Sequence, residues 1–207
     1  MSSENDPRPP FTAAILAGGL ARRLGGIDKS ALVIGSASIL DRQVSLLRAL
    51  TPHILIVTSD RSRVGLRDIG QDVDVVIDRV DGAGALGGIY TALMDAPTEQ
   101  VIVIGCDMPF LTAPFLAYLA AQGADVDVAV PADDRGRHPL CASYRRRTAP
   151  HFRARIDAGA LRVGDALAPL TVRELGADEL APFNADGRLL VNVNTPDDYA
   201  RAHASDR

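Results

Sequence analysis

The sequence predicts an α/β fold, a single-domain Rossmann-like mostly parallel sheet with helices on both faces. Short apolar runs alternate with helical patterns along the chain, which is the pattern of such folds. Several runs are continuous Val/Ile/Leu stretches without polar alternation, as expected of parallel strands covered on both sides. A glycine-rich segment follows the first run directly, where open α/β folds bind ligands.

The expected strands are Ala13–Leu16, Ile54–Thr58, Val73–Ile77, Val101–Gly105, Val126–Val130 and Leu140–Tyr144. Between them, helices are expected over Ile39–Leu50, Leu86–Ala96, Thr112–Gln122 and Thr148–Asp157. In the first helix Leu40, Val44, Leu47 and Leu50 line one face, spaced to pack on a sheet. Thr112 reads as an N-cap, with Pro114 tolerated in the first turn. Residues 132–190 are less regular. Strands are expected there near Val172–Leu175 and just beyond at Leu189–Val193, with an antiparallel excursion and a closing helix from Pro196. No repeat or long linker divides the chain, so one domain is expected over 11–207. Residues 1–10, polar and containing Pro7, Pro9 and Pro10, are expected to form a disordered tail. They lack the apolar core of a secretory signal.

Composition narrows the function. Hydrophobic residues at 47% and charged residues at 23% give a soluble globular balance. No apolar stretch approaches the ~20 residues of a membrane helix, so no membrane partner is expected. A net charge of −4 disfavours affinity for nucleic acid by phosphate neutralisation. With 4% aromatics and no Trp, a base-stacking platform is equally disfavoured. Cys106 and Cys141 are too few for a disulfide framework and fit a reducing cytoplasm. The run Arg145-Arg146-Arg147 reads as a solvated helix end.

The segment Leu16-Ala17-Gly18-Gly19-Leu20-Ala21-Arg22-Arg23-Leu24-Gly25-Gly26-Ile27-Asp28-Lys29 carries the strongest chemical signal. Its four glycines let the backbone approach a ligand, and successive N–H groups in such a turn form an anion-binding concavity. Arg22, Arg23 and Lys29 add charge suited to phosphate oxygens. A flexible surface turn would explain the glycines but not three interleaved cations. Asp28 before Lys29 departs from the Walker A pattern and disfavours a P-loop kinase or GTPase.

Two acidic residues end apolar strands. Asp107 follows Val101–Gly105 and Cys106, which puts its carboxylate on the ligand edge of the sheet. Mg²⁺ is commonly held by one or two carboxylates with substrate phosphates and water, so Asp107 is a candidate for it; capping the next turn is the alternative. Asp78 occupies a similar but weaker position. Asn192 and Asn194 share a face, and an amide oxygen is a hard donor; satisfying turn backbone groups is their alternative role. Gly82-Ala83-Gly84-Ala85-Leu86-Gly87 formally fits a dinucleotide fingerprint, which keeps an NAD-dependent oxidoreductase open. Against that, Asp78-Arg79-Val80-Asp81 separate it from its strand, whereas the fingerprint turn should be immediate. A non-catalytic nucleotide-binding module also stays open.

Leu16-Ala17-Gly18-Gly19, Arg23-Leu24-Gly25-Gly26 and Asp28-Lys29 together resemble the signature of the molybdenum cofactor guanylyltransferases, within the nucleotidyltransferase superfamily. Gly105-Cys106-Asp107-Met108-Pro109-Phe110-Leu111 resembles their metal-holding block, and Val191-Asn192-Val193-Asn194-Thr195-Pro196 their C-terminal block. The similarity spans about residues 13 to 200 and is loose over 145–185. The resemblance implies transfer of GMP from GTP to molybdopterin or Mo-molybdopterin with Mg²⁺. Arg23, Lys29 and Asp107 would be catalytic. Leu16, Ala17, Gly18, Gly19, Lys29, Thr58, Asp78 and Asp107 would bind nucleotide, with Asp107 on the metal and Asn194 as a second metal group. Leu86-Gly87-Gly88 would shape the rim. It also implies partners among cofactor-biosynthesis proteins and molybdoenzyme chaperones. Thr58 stands where that family often has Asn, and Ala85 where it commonly has Pro. A cytidylyl- or sugar-phosphate nucleotidyltransferase is the related alternative.

Overall fold

The computed structural model describes residues 11–17, 20–21, 27–28, 32–60 and 70–204. The expected tail, 1–10, lies outside them. In chain order the elements are β1 (Phe11–Leu16), β2 (Leu20–Ala21), β3 (Ile27–Asp28), β4 (Val33–Ile34), β5 (Ala37–Ser38), α1 (Ile39–Arg48), β6 (Ile54–Thr58) and β7 (Val73–Ile77). Then come α2 (Gly84–Asp95), β8 (Gln100–Gly105), α3 (Ala113–Gln122), β9 (Val128–Asp133), β10 (Gly136–Arg137) and β11 (Cys141–Arg145). The chain closes with α4 (Ala149–Asp157), α5 (Val163–Ala166), β12 (Val172–Leu175), α6 (Ala177–Leu180) and α7 (Pro196–Ala204).

The main sheet runs β10-β9-β11-β8-β1-β6-β7, with β12 also paired to β9. β1 is parallel to β6 and β8, and β6 to β7. β11 is antiparallel to both β8 and β9, which is the antiparallel excursion expected beyond residue 132. The sheet is therefore the mostly parallel α/β sheet anticipated. Alternate residues sort to opposite faces. Ala13, Ile15, Ile54, Ile56, Ile102 and Ile104 pack with α1 and α3. Ala14, Leu55, Val57, Val101 and Val103 pack with α2 and α4. Every residue of β6 and β8 is buried, which accounts for the unbroken apolar runs Ile54–Val57 and Val101–Ile104 within them.

Local chemistry sets the helix starts. Ser38 Oγ accepts from Asp41 N at 3.0 Å to cap α1, and Thr112 Oγ1 accepts from Phe115 N at 3.4 Å to cap α3. Ahead of α7 the cap is reciprocal. Asp198 N donates to Thr195 Oγ1 at 3.1 Å, and Thr195 N donates to Asp198 Oδ2 at 2.9 Å.

Leu189–Val193 is not a strand. Its amides go elsewhere: Leu189 N to Asn184 Oδ1, Val191 N to Arg188 O, and Val193 N to Asp107 O. Its buried residues, Leu189, Leu190 and Val193, also lack period-two spacing. β9 runs past the expected Val130 to Asp133 because it gains β10 as a partner there. The Arg145–Arg147 run is a strand end and a 3-10 turn, with Arg147 Nε 2.8 Å from Asp127 Oδ1.

Candidate active site

Strand order reverses between β1 and β8, so the ligand crevice of this sheet lies at their carboxyl ends. Leu16, Ala17 and the turn that carries Asp107 meet there. Leu16 pairs with Val57 on one side and Gly105 on the other. Ala17 N donates to Val57 O at 2.8 Å, and Cys106 N donates to Leu16 O at 3.2 Å. Next along the edge, Asp78 N donates to Thr58 O at 2.8 Å. The exits of four parallel strands are thus tied together by backbone hydrogen bonds. Gly18, Gly19, Arg22, Arg23, Gly25, Gly26 and Lys29 lie outside the described residues. Leu20 pairs with Asp28 and Ala21 with Ile27.

Asp107 lies in the turn that ends β8, where Met108 N donates to Gly105 O at 3.4 Å. Its carboxylate folds back over the strand end. A Cβ at position 105 would stand 2.8 Å from Asp107 Oδ1, so only glycine lets it lie there. Asp107 O accepts from Val193 N at 2.8 Å, bringing the C-terminal block to this turn. Asn192 and Asn194 are half-buried while Val193 between them is buried. Asn194 N donates to Asp198 Oδ2 at 3.1 Å, so the α7 capping network also holds this block. α7 contributes Ala202 and Tyr199 to a small core with Leu32, Ile34, Ile39 and Val193. Tyr199 Oη donates to Val33 O at 2.6 Å.

Asp78 faces α2. Its Oδ1 accepts from Thr91 Oγ1 at 2.8 Å and from Val80 N at 3.3 Å. A Cβ on Gly87 would stand 3.2 Å from both Asp78 oxygens, and one on Gly88 would stand 3.2 Å from Leu16 Cδ1 and Cδ2. The paired glycines let α2 seat against Asp78 and Leu16 together. Thr58 turns inward: it is 1% exposed, and its Oγ1 donates to Asp60 O.

On the other flank Leu140 O accepts from Gly105 N at 2.7 Å, drawing the 138–140 segment to the end of β8. His138 Nε2 stands 2.9 Å from Asp133 Oδ2, which also accepts from Arg135. Burial pushes the Asp133 carboxyl up, but Arg135 and His138 outweigh it and hold it down at about 2.

Among the described residues no cluster of three or more His, Cys, Asp or Glu side chains forms. Asp107, with Asn194 next in sequence to its backbone partner Val193, offers hard oxygen donors at the crevice. That donor set fits a divalent ion sharing its shell with substrate phosphates and water. Sequence reasoning missed Thr91 and also Gln43, which is buried on α1. The available signal was a polar residue on an otherwise apolar helix face.

Residues 13–173 match the family described as "MobA-like NTP transferase domain". The chain belongs to this family. It is 32% identical over 191 residues to a probable molybdenum cofactor guanylyltransferase of Carboxydothermus hydrogenoformans, covering 92% of this chain and 94% of the relative. The molybdopterin-guanine dinucleotide biosynthesis protein A of Archaeoglobus fulgidus has the same fold, with a TM-score of 0.81, 24% identity, and coverage of 94% and 97%. A Mycobacterium tuberculosis protein solved in complex with manganese superposes with a TM-score of 0.66 at 19% identity, covering 95% and 99%. The chain is thus a nucleotidyltransferase, and the oxidoreductase and non-catalytic readings fall away. The physical reason is visible in the chain: β7 ends at Ile77 and α2 begins only at Gly84, so the Gly82–Gly87 pattern does not form the immediate strand-to-helix turn of a dinucleotide fingerprint. Among the described residues no helix is long and apolar enough to cross a membrane.

Proposed function

We propose that the chain transfers GMP from GTP to the terminal phosphate of molybdopterin, or of its molybdenum-loaded form, and releases pyrophosphate. The observation that carries this reading is the Asp107 turn, seated in the β1/β8 crevice against the start of the glycine-rich segment and the C-terminal Asn block. An acceptor phosphate oxygen attacks the α-phosphorus in line, and the bond to the bridging oxygen of the β-phosphate breaks. The reactants are polyanions, so positioning and charge stabilisation dominate the barrier. A phosphate nucleophile is already ionised near neutral pH, and no side chain has to remove a proton.

Leu16, Ala17, Gly18 and Gly19 would present backbone to the triphosphate, with Arg23 and Lys29 supplying positive charge. Asp78 would lie beside the nucleoside, and Thr58 would contribute through the backbone that holds Asp78. Asp107, with Asn194 as a second group, would hold Mg²⁺, which when bound neutralises charge developing at the α-phosphorus. The manganese of the M. tuberculosis neighbour supports a divalent ion in this role. Because α7 braces the Asn block, residues 11–207 would work as one domain. The reaction would take place in the cytoplasm, where the buried thiols of Cys106 and Cys141 stay reduced.

The test incubates the protein with Mg²⁺, molybdopterin and each of the four ribonucleoside triphosphates in turn, and measures pyrophosphate. GTP should support transfer at least tenfold better than CTP, a difference of about 1.4 kcal/mol in transition-state binding. Equal or better use of CTP would move the chain to the cytidylyl branch.

A further inference from the structure

Gln43 breaks the apolar face of α1, where Leu40, Val44 and Leu47 are all buried. It is itself 3% exposed. Its Nε2 donates to Gly105 O at 2.8 Å and to Met108 O at 3.1 Å. Those two carbonyls are the first and last of the turn that contains Asp107. The side chain therefore spends both amide hydrogens on the two ends of one four-residue segment. The opposite amide orientation would set Oε1 against two carbonyl oxygens, so the donors fix it.

The remaining atom sharpens the point. Gln43 Oε1 is buried with no hydrogen-bond partner among the described residues. A buried acceptor left unsatisfied costs free energy, and a leucine or methionine here would avoid that cost. Packing alone does not secure the turn on this side. A groove of about 560 Å³ lies there, lined among others by Asp41, Gln43, Leu46, Met108 and Pro109.

We infer that Gln43 is a positioning residue that fixes the Gly105–Met108 turn, and with it the Asp107 carboxylate, for divalent-cation binding. The inference rests on the reading of Asp107 as the residue that holds the cation. Gln43 touches neither substrate nor metal; it acts by holding the backbone that aims a ligand. Groups in that outer position commonly change metal affinity by about 10- to 100-fold when removed. α1 also begins at the β4–β5 hairpin, with Ile39 N donating to Leu32 O at 2.9 Å. The same helix thus links the exit of the glycine-rich segment to the Asp107 turn.

The experiment titrates Mn²⁺ into the full chain with saturating GTP and follows free Mn²⁺ by electron paramagnetic resonance, so turnover is not needed. Gln43→Met keeps size and removes both donors. It should raise the half-saturating Mn²⁺ concentration about tenfold, while metal-free GTP affinity stays within about twofold of the parent. Parental Mn²⁺ affinity in Gln43→Met, with only a lower melting temperature, would overturn the inference and leave Gln43 a structural residue. Gln43→Asn, which withdraws the amide by one methylene, decides the matter if Gln43→Met does not fold. A raised Mn²⁺ requirement supports the role, and a parental one refutes it. Asp107→Asn separates the two layers. Parental Mn²⁺ binding there would remove the metal reading itself, whereas weakened binding there with a parental Gln43→Met would sink only Gln43.

Discussion

Alanine at position 87 sets two opposed effects against each other within α2. A helix interior gains about 1 kcal/mol when glycine becomes alanine. The added Cβ, however, would stand 2.8 Å from Ala83 Cβ and 3.2 Å from both oxygens of Asp78. Carbon atoms in good contact sit about 3.5–4.0 Å apart, so the new methyl is too close by roughly 1 Å. Ala83 has no torsion by which to retreat, and Asp78 is held by the Thr91 hydroxyl. Overpacking of this kind costs typically about 1–3 kcal/mol, and the rigid neighbours argue for the upper half. The expected net loss is therefore about 1–2 kcal/mol. Gly88→Ala is the internal control. Its Cβ would stand 3.2 Å from Leu16 Cδ1 and Cδ2, the far end of a flexible side chain. Clash and propensity should nearly cancel there, to within about 0.5 kcal/mol. Urea unfolding followed by circular dichroism, with equal slopes for parent and variants, measures both stabilities. GTP calorimetry at the same time should show Gly87→Ala weakened, because Asp78 must move. A Gly87→Ala protein as stable as the parent, or less damaged than Gly88→Ala, would refute the reasoning.

Other expectations follow from the same geometry. Thr195→Ala removes half of the reciprocal cap of α7 and should cost about 1 kcal/mol, lowering the melting temperature by roughly 2–4 °C in scanning calorimetry. Asn194→Ala should melt near the parent yet transfer poorly, whereas lost stability with normal turnover of the folded fraction would leave Asn194 a turn residue. Lys29→Ala should weaken GTP binding about tenfold at low salt, with a gap that narrows as salt rises; unchanged affinity by calorimetry would remove Lys29 from the triphosphate. The Asp133 carboxyl is held at about 2 in the folded chain, below its unfolded value. Its contribution is thus fully present above about pH 4 and is lost as pH falls through about 2; it should be on the order of 1 kcal/mol. Asp133→Asn should accordingly flatten the acid limb of a stability-versus-pH curve, and an unchanged limb would count against the Arg135–Asp133–His138 network.

Much of the fold was legible because its signals are local. β6, β7 and β12 fall on the residues expected of them, and α1 and α3 begin where Ser38 and Thr112 supply a cap. Periodicity and capping are contacts between residues a few positions apart, so the chain carries them in plain order. The positions of Asp107 and Asp78 at strand exits were legible for a related reason: each carboxylate stands just past an expected strand, and strand ends define the edge where ligands bind. Thr195 was readable as the cap of α7 from the same punctuation, whereas the Asn192–Asn194 pair was expected on a strand that does not form. Strand order was not legible. That β8 lies beside β1, putting Asp107 next to Leu16 and Ala17, follows from pairing between distant segments that compete for the same buried sheet positions. The same competition left Leu189–Val193 without a strand partner, although its composition suited one. Gln43 and Thr91 show the limit most sharply. Each is one polar residue in a helix, with nothing nearby in sequence to say why. Only packing α1 against the β8 turn, and α2 against Asp78, brings their donors to partners far along the chain. A buried hydrogen bond of that kind is a property of two surfaces in contact, and neither surface exists until the sheet has formed.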